Sequence, residues 1–285
     1  MNQFAGKTAV ISGGAEGIGL SIAKALGHQK MNVVIADINQ ASLKKASSAL
    51  EAAGIAVLAV VLNVAEESQW QEVADQAVAR FGKIHMIVNN AGVAGSPGTI
   101  EQQDGQGWQW AMGVNIMGAV YGAKLMVPLI KAHGEGGWLV NVASMAGFGG
   151  VPFGGAYTAT KAAVVALSES WAIELKDDDI SVSILAPGFV QTRIHQSYRN
   201  RPDKYKSDNA NKGGTSPIEQ HTKQLIENGL EVSLIGKRLV EALNEGEMYI
   251  FTHPDYRPAL RKRADQIDSA LEKAGQSLSL KDINN

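Results

Sequence analysis

The sequence predicts an α/β fold: a doubly wound parallel sheet of about seven strands, with helices on both faces, in a single domain. Three observations carry that prediction. Short apolar runs alternate with longer amphipathic runs over the first 190 residues. The short runs are continuously apolar, as strands buried on both faces read. The first of them leads directly into a glycine cluster that opens a helix.

Each element follows in order. Thr8 to Ile11 reads as a buried strand and Gly17 to Gln29 as the helix after it. Val33 to Ala36 is the second strand, followed by a helix from Gln40 to Ala53. Ala56 to Leu62 and Glu66 to Phe81 make the third pair. Ile84 to Val88 is a strand and Trp108 to His133 one long helix. Trp138 to Val142 is the fifth strand, Ala156 to Lys176 a second long helix, and Val182 to Leu185 the sixth strand. These helices are long enough for right-handed crossovers, which makes the sheet Rossmann-type. After Pro187-Gly188 the pattern breaks into a polar stretch, from 191 to about 228, with no period. A loop of that length reads as a lid over a site. Leu234 to Leu243 is a helix, Met248 to Phe251 the last strand, and Ala259 to Ala274 a C-terminal helix. The domain thus divides into a core (1–190), a lid (191–235) and a closing segment (236–285).

Composition excludes whole classes of function. With 26 basic and 28 acidic residues, the chain has no charge excess to hold nucleic acid. Without cysteine it has no disulfide framework, iron–sulfur cluster, zinc–thiolate site or thiol nucleophile. That fits a reducing, cytoplasmic setting. No charged leader precedes an apolar stretch, and no run of ~20 apolar residues suggests a membrane span. The six histidines show no metal-ligand spacing, so no metal is expected. Glycine is in excess, 31 of 285 against ~7% in average proteins. Thirteen of these are Gly13, Gly14, Gly17 and Gly19, then Gly92, Gly95 and Gly98, then Gly147, Gly149, Gly150, Gly154 and Gly155 between Ser144 and Tyr157, and Gly188, where backbone is expected to approach a ligand.

The first motif is Ser12-Gly13-Gly14-Ala15-Glu16-Gly17-Ile18-Gly19, between a strand and a helix. Such a turn brings backbone close to a diphosphate and aims helix N–H groups at it. Asp37 ends the second strand, where a carboxylate accepts the hydroxyls of an adenosine ribose and repels a 2′-phosphate. Ile38 stands where a 2′-phosphate binder would carry arginine, and Glu16 is acidic where a base would help; both favour NAD over NADP. Asn89-Asn90-Ala91-Gly92 ends the fourth strand, at the sheet edge where ligands bind. Ser144 ends the fifth strand. Tyr157 and Lys161 are four apart on a helix and share a face. A lysine beside a phenol is expected to lower the phenol pKa from ~10 toward neutrality and make it a general acid/base. Of the six tyrosines only Tyr157 has lysine at this spacing.

These motifs, in this order, resemble the short-chain dehydrogenases/reductases of the single-domain branch, from about Lys7 to Thr192. The resemblance implies that Gly13, Gly17 and Gly19 bind the cofactor diphosphate and that Asp37 reads the ribose. It implies that residues 89 to 92, with Asn90, Ala91 and Gly92 near the cofactor, support the sheet and the adenosine side. The family's catalytic tetrad falls on Asn115, Ser144, Tyr157 and Lys161. There Asn115 holds a water in a proton relay with Lys161, and Lys161 binds the nicotinamide ribose. Pro187, Gly188 and Thr192 match a stretch that meets the nicotinamide carboxamide. Ile18, Val64 and Val190 join the cofactor contacts by their places in the same motifs. Asn63 stands where aspartate is common on the adenine side and keeps hydrogen-bonding capacity. The closing segment departs from the acyl-carrier-protein reductase branch and is similar to members that oxidise bulky or aryl secondary alcohols. A homo-oligomer, tetramer or dimer, is also implied, with the helices around Asn115 and Tyr157 between subunits.

On the substrate side, Met145, Phe148, Val151 and Phe153 are expected to form an apolar wall, with Ala94 and Gly95 opposite. That one or both phenylalanines are instead plain core residues is an equal alternative. The lid, 191–225, carries seven basic residues against three acidic, and reads as a solvated charged surface rather than a carboxylate binder. His195 and His221 in it read as surface residues. The expected activity is hydride transfer between NAD and a secondary alcohol or ketone. The alternatives are an NADP-dependent carbonyl reductase and a dinucleotide sensor without turnover.

Overall fold

The computed structural model describes residues 2–206 and 217–283. Seven parallel strands form one sheet in the order β3-β2-β1-β4-β5-β6-β7. They are β1 (Thr8–Ser12), β2 (Asn32–Asp37), β3 (Val57–Val61), β4 (Met86–Asn89), β5 (Gly137–Val142), β6 (Ile180–Ala186) and β7 (Tyr249–Phe251). The predicted doubly wound sheet is therefore present. Every residue of β1, β4 and β5 is buried, which is why these runs carry no polar alternation. The chain runs outward from β1 to β3, returns, and continues on the other side from β4. The switch point lies between the adjacent strands β1 and β4, and opens a crevice at their carboxyl ends.

The helices are α1 (Gly17–His28), α2 (Gln40–Ala52), α3 (Glu67–Phe81), α4 (Gly105–Ala111), α5 (Gly118–His133), α6 (Gly155–Glu174), α7 (Pro217–Glu227), α8 (Val232–Glu245) and α9 (Arg257–Gly275). One core packs α1, α2 and α8 on one face of the sheet around Ile22, Leu26, Leu43 and Leu239. A second packs α3 and α5 on the other around Trp70, Met126 and Leu139.

Two expectations are corrected. The long helix predicted from Trp108 is α4 and α5 joined by a π-helical turn, Met112–Met117. It starts earlier because the Asp104 carboxylate caps the Gly107 N–H at 2.6 Å. The combined stretch Gly105–His133 is long and apolar enough to cross a membrane by length and composition, although Asn115 and Lys124 break any continuous apolar run. Its inner residues Ala123, Met126 and Ile130 pack in the second core. The lid is not wholly irregular: it holds α7 and a 3-10 segment, Ile194–Asn200. The residues up to Thr252 form one compact unit and those from His253 a second, containing α9, which has no buried residue.

Candidate active site

The glycine loop runs from β1 into α1. Helix α1 starts without a side-chain cap, because the Glu16 carboxylate at its N-cap turns elsewhere. Its first-turn N–H groups thus face the crevice with the helix dipole behind them, as an anion requires. Gly17 takes a left-handed backbone (φ +55°), and a Cβ there would come no nearer than 3.4 Å to another residue, Thr192. Gly13 is left-handed too (φ +63°), and a Cβ on it or on Gly19 would also collide with Asn90 Nδ2. Gly147 likewise has no room for a Cβ, which would lie 2.7 Å from Lys161 O. Glycines expected to mark ligand approach thus in part mark backbone packing.

Asn90 clamps the loop, donating to Ser12 O at 2.8 Å and Gly13 O at 3.0 Å. The Ser12 hydroxyl accepts from Asn90 N–H and Ala91 N–H and ties β1 to β4. Asp37, half-buried at the end of β2, accepts from Ala15 N–H at 3.3 Å and Asn39 N–H at 3.0 Å. Burial raises its pKa, partly offset by those two bonds. Ile38 beside it is exposed. Asn63 Oδ1 accepts from Ala65 N–H, so its amide is left to donate. Val64 is buried against Gly118, and its carbonyl accepts from Trp70 Nε1 at 3.1 Å. Val190 is also a core side chain, at a bridge to Leu230, and Ile18 packs partly on the same core. The arrangement fits a dinucleotide, with α1 for its diphosphate and Asp37 for its ribose.

The four tetrad residues converge near the carboxyl ends of β4 and β5. Asn115 sits in the π turn, a form that recurs at functional sites. Its Oδ1 accepts from Val93 N–H at 2.8 Å, and its Nδ2 donates to Val93 O at 3.0 Å and Thr160 Oγ1 at 2.9 Å. Both amide hydrogens are committed, so a relay through Asn115 has only lone pairs or backbone to work with. Thr160, fully buried, was not singled out in the sequence; its position beside Lys161 was the available signal. Gly92 backs the site: a Cβ there would lie 3.4 Å from Lys161 Nζ and 3.5 Å from Asn115 Oδ1.

Lys161 is buried, donates to Val142 O at 2.8 Å, and lies 5.7 Å from the centre of the Tyr157 ring. Burial pushes its pKa down to about 8. The Tyr157 phenol is raised rather than lowered: burial outweighs a hydrogen bond with Ser144 that pulls the other way. The expected lysine effect is missing because the ammonium points at the Val142 carbonyl and the ring. Ser144 also accepts from Ala146 N–H and donates to Pro187 O at 3.4 Å; Pro187 O in turn accepts from Met145 N–H. This fixes the start of the lid, with Gly188, against β5.

The expected apolar wall is split. Met145 is buried. Phe148 instead joins Phe251 and Tyr249 of β7, with ring centres 5.3 and 6.1 Å away. Phe153 is exposed on a left-handed backbone (φ 64°), its carbonyl accepting from Gly98 N–H. Gly95 nestles between Ala111 and Ala156, and Ala94 N–H donates to Ser197 of the lid at 3.1 Å.

The charged lid is solvated over much of its surface, as expected, and ion pairs also pin it. Arg199 and Arg193 pair with Glu16, Lys204 with Glu66, and Arg201 with Asp104. Arg201 is 9% exposed and lies over Trp110. The acidic partners stand on loops after β1, β3 and β4, where the crevice opens. Lys212 lies outside the described residues. His221 is exposed, but both ring nitrogens of His195 are buried without a partner, so His195 is not the surface residue expected.

Away from the crevice, His85, His133 and Glu135 form a group of metal-ligand types. Their nitrogens are engaged: His85 Nδ1 accepts from Thr8 N–H and Nε2 meets Glu135, while His133 meets Ile84 O and Glu135 N–H.

A short chain dehydrogenase family model matches residues 7–203. The chain belongs to the short-chain dehydrogenase family. A CLA biosynthesis dehydrogenase/reductase of Lactiplantibacillus plantarum is 34% identical to it over 276 residues, covering 94% of this chain and 95% of that protein. The cyclohexanol dehydrogenase of Acinetobacter sp. (strain SE19) is 35% identical over 193 residues, 68% of this chain and 76% of that one. The crystal structure of a short-chain dehydrogenase/reductase from Burkholderia phymatum in complex with NAD superposes with a TM-score of 0.90 at 33% identity, covering 95% of this chain and 97% of that one. This short-chain dehydrogenase is thus an oxidoreductase with a Rossmann-type core.

Proposed function

We propose that this short-chain dehydrogenase is an NAD-dependent secondary-alcohol dehydrogenase, or ketone reductase in reverse, for hydrophobic cyclic or aromatic substrates. The observation that carries the reading is the convergence of Ser144, Tyr157, Lys161 and Asn115 beside the uncapped start of α1. Asp37 at the end of β2 supports NAD, as does a relative crystallised with NAD. A relative named for cyclohexanol supports the substrate class.

The chain's part in the chemistry is proton transfer. Ser144 holds the substrate oxygen beside the phenol. Tyr157, with its pKa raised by burial, is protonated at neutral pH and donates to a ketone oxygen. In the oxidative direction the phenolate takes the alcohol proton, favoured by the Ser144 bond. Bound nicotinamide supplies the hydride acceptor or donor. We also propose a homo-oligomer, with Met112, Met117 and Ile173 as exposed apolar contacts on the π turn and α6. Sedimentation at the monomer mass of 30.2 kDa would refute it.

The test is an absorbance assay for NADH formation with aryl and alicyclic secondary alcohols, using either NAD or NADP. Wild type should turn over with NAD. Tyr157→Phe should lose ~100-fold or more in turnover while still binding NADH. Near-normal turnover in that variant sinks the mechanism. Cofactor binding without turnover of any alcohol favours a sensor.

A further inference from the structure

Three charged side chains from three parts of the chain meet at the ribose end of the crevice. Glu16 comes from the glycine loop, Asp37 from β2 and Arg199 from the lid. The Arg199 guanidinium donates from Nη2 to Glu16 Oε2 at 2.7 Å. Its Nη1 donates to Arg193 O at 3.2 Å and Gln196 O at 3.3 Å. Glu16 Oε1 accepts from the Ser42 hydroxyl at 2.7 Å and lies 3.6 Å from Arg193 Nη1. The fields of both Glu16 and Arg199 reach Asp37, in opposite directions.

The negative charge at Glu16 and Asp37 is therefore matched by two guanidinium groups, and simple repulsion is a poor account of how this end would reject a ribose 2′-phosphate. An arginine in this region is the feature that accommodates such a phosphate. Here one is present, held in position by lid carbonyls and occupied by Glu16.

We propose that Glu16 sets cofactor choice by holding Arg199 as its counter-ion and so withholding it from a 2′-phosphate. The proposal rests on the NAD reading above and names the residue pair behind it. Glu16 and Arg199 act here as specificity determinants, remote from the proton-transfer groups. Removal of Glu16 leaves Arg199 anchored through Nη1, with Nη2 released from its carboxylate partner. A phosphate can then take the charge-assisted bond that the carboxylate held.

The test reads binding directly, by nucleotide fluorescence with NADH and NADPH, on wild type, Glu16→Ala, Arg199→Ala and the double variant. Wild type should bind NADH more tightly. Glu16→Ala should gain ~10-fold or more in affinity for NADPH relative to NADH. The double variant should lose that gain. A gain that survives the loss of Arg199 would overturn the proposal, because removing the acid, or releasing Arg193, would then suffice without Arg199. No gain in Glu16→Ala also overturns it. Wild type preferring NADPH would instead sink the NAD reading of Asp37, a separate result from the comparison of single and double variants. Far-ultraviolet circular dichroism on all four proteins shows that each is folded.

Discussion

The Asn115 amide and the Thr160 hydroxyl share a buried hydrogen bond of 2.9 Å, Nδ2 donating to Oγ1. The bond joins the π turn after α4 to the helix that carries Tyr157 and Lys161. Thr160 Oγ1 donates in turn to Tyr157 O at 2.9 Å. Thr160→Val keeps the shape and removes both roles. It should lower stability by about 1–2 kcal/mol. It should also lower kcat by ~10-fold or more, since a small displacement of a catalytic group is expensive in rate. Thr160→Ser should restore most of both. Urea unfolding and kinetics on the three proteins check this; a Val variant with full kcat would separate the bond from catalysis.

Lys161 gives a stability signature opposite to its importance for turnover. Burial holds its pKa at about 8, against 10.5 in an unfolded chain. Between those values the unfolded chain binds the proton more tightly, so stability rises with pH, and the penalty is in full force below about 8. The difference is roughly 3 kcal/mol. Lys161→Met removes the buried charge but leaves the Val142 carbonyl without its donor. The variant should be inactive, at least as stable as wild type at pH 7, and free of the alkaline rise. Urea midpoints at pH 7, 8.5 and 10 measure it; an unchanged slope would contradict the argument.

The His85–Glu135 cluster should govern acid stability. His85 is lowered, chiefly by burial, and its neutral form accepts from Thr8 N–H. Glu135 is lowered to about 2, chiefly by its bond with Lys83 and then by His85. A lowered pKa means stability that is complete above the unfolded value and fades as pH falls. Stability should therefore decline below about pH 6.5 through His85, and again below about 4.5 toward 2 through Glu135. His85→Leu should flatten the first decline and Glu135→Gln the second. Thermal unfolding between pH 8 and 3 distinguishes the two steps.

The sheet was legible because its strands are uninterrupted apolar runs separated by helix-length segments. The tetrad was legible because Tyr157 and Lys161 are local partners on one helix. What escaped were relationships between distant segments. Arg199 and Glu16 are 183 positions apart, and nothing local marks either as the other's partner. The π turn at Asn115 changes no apolar period, so the sequence read one helix there. Phe148 looked like a pocket wall because its aromatic partners, Tyr249 and Phe251, lie on a strand a hundred residues later. The Tyr157 pKa is not legible in the sequence for a similar reason: helix spacing places Lys161 nearby but says nothing about the Val142 carbonyl that takes its hydrogen bond.

The contact between α1 and α8 makes a final prediction, on a face the motifs do not touch. Gly236 N–H donates to the Ser21 hydroxyl at 3.1 Å, and a Cβ at Gly236 would overlap the Ser21 carbonyl. In an open helix, glycine to alanine stabilises by up to ~1 kcal/mol. Here the methyl meets helix backbone that cannot rotate away, so Gly236→Ala should instead destabilise by about 1–3 kcal/mol. The strain falls on α1, whose first turn faces the crevice, so NADH affinity should weaken as well. Gly105→Ala is the control, because nothing lies within 4 Å of a Cβ at that site. Thermal unfolding and NADH titration of the two variants decide it: a Gly236→Ala protein as stable as the control would show that α8 can slide away from α1 at little cost.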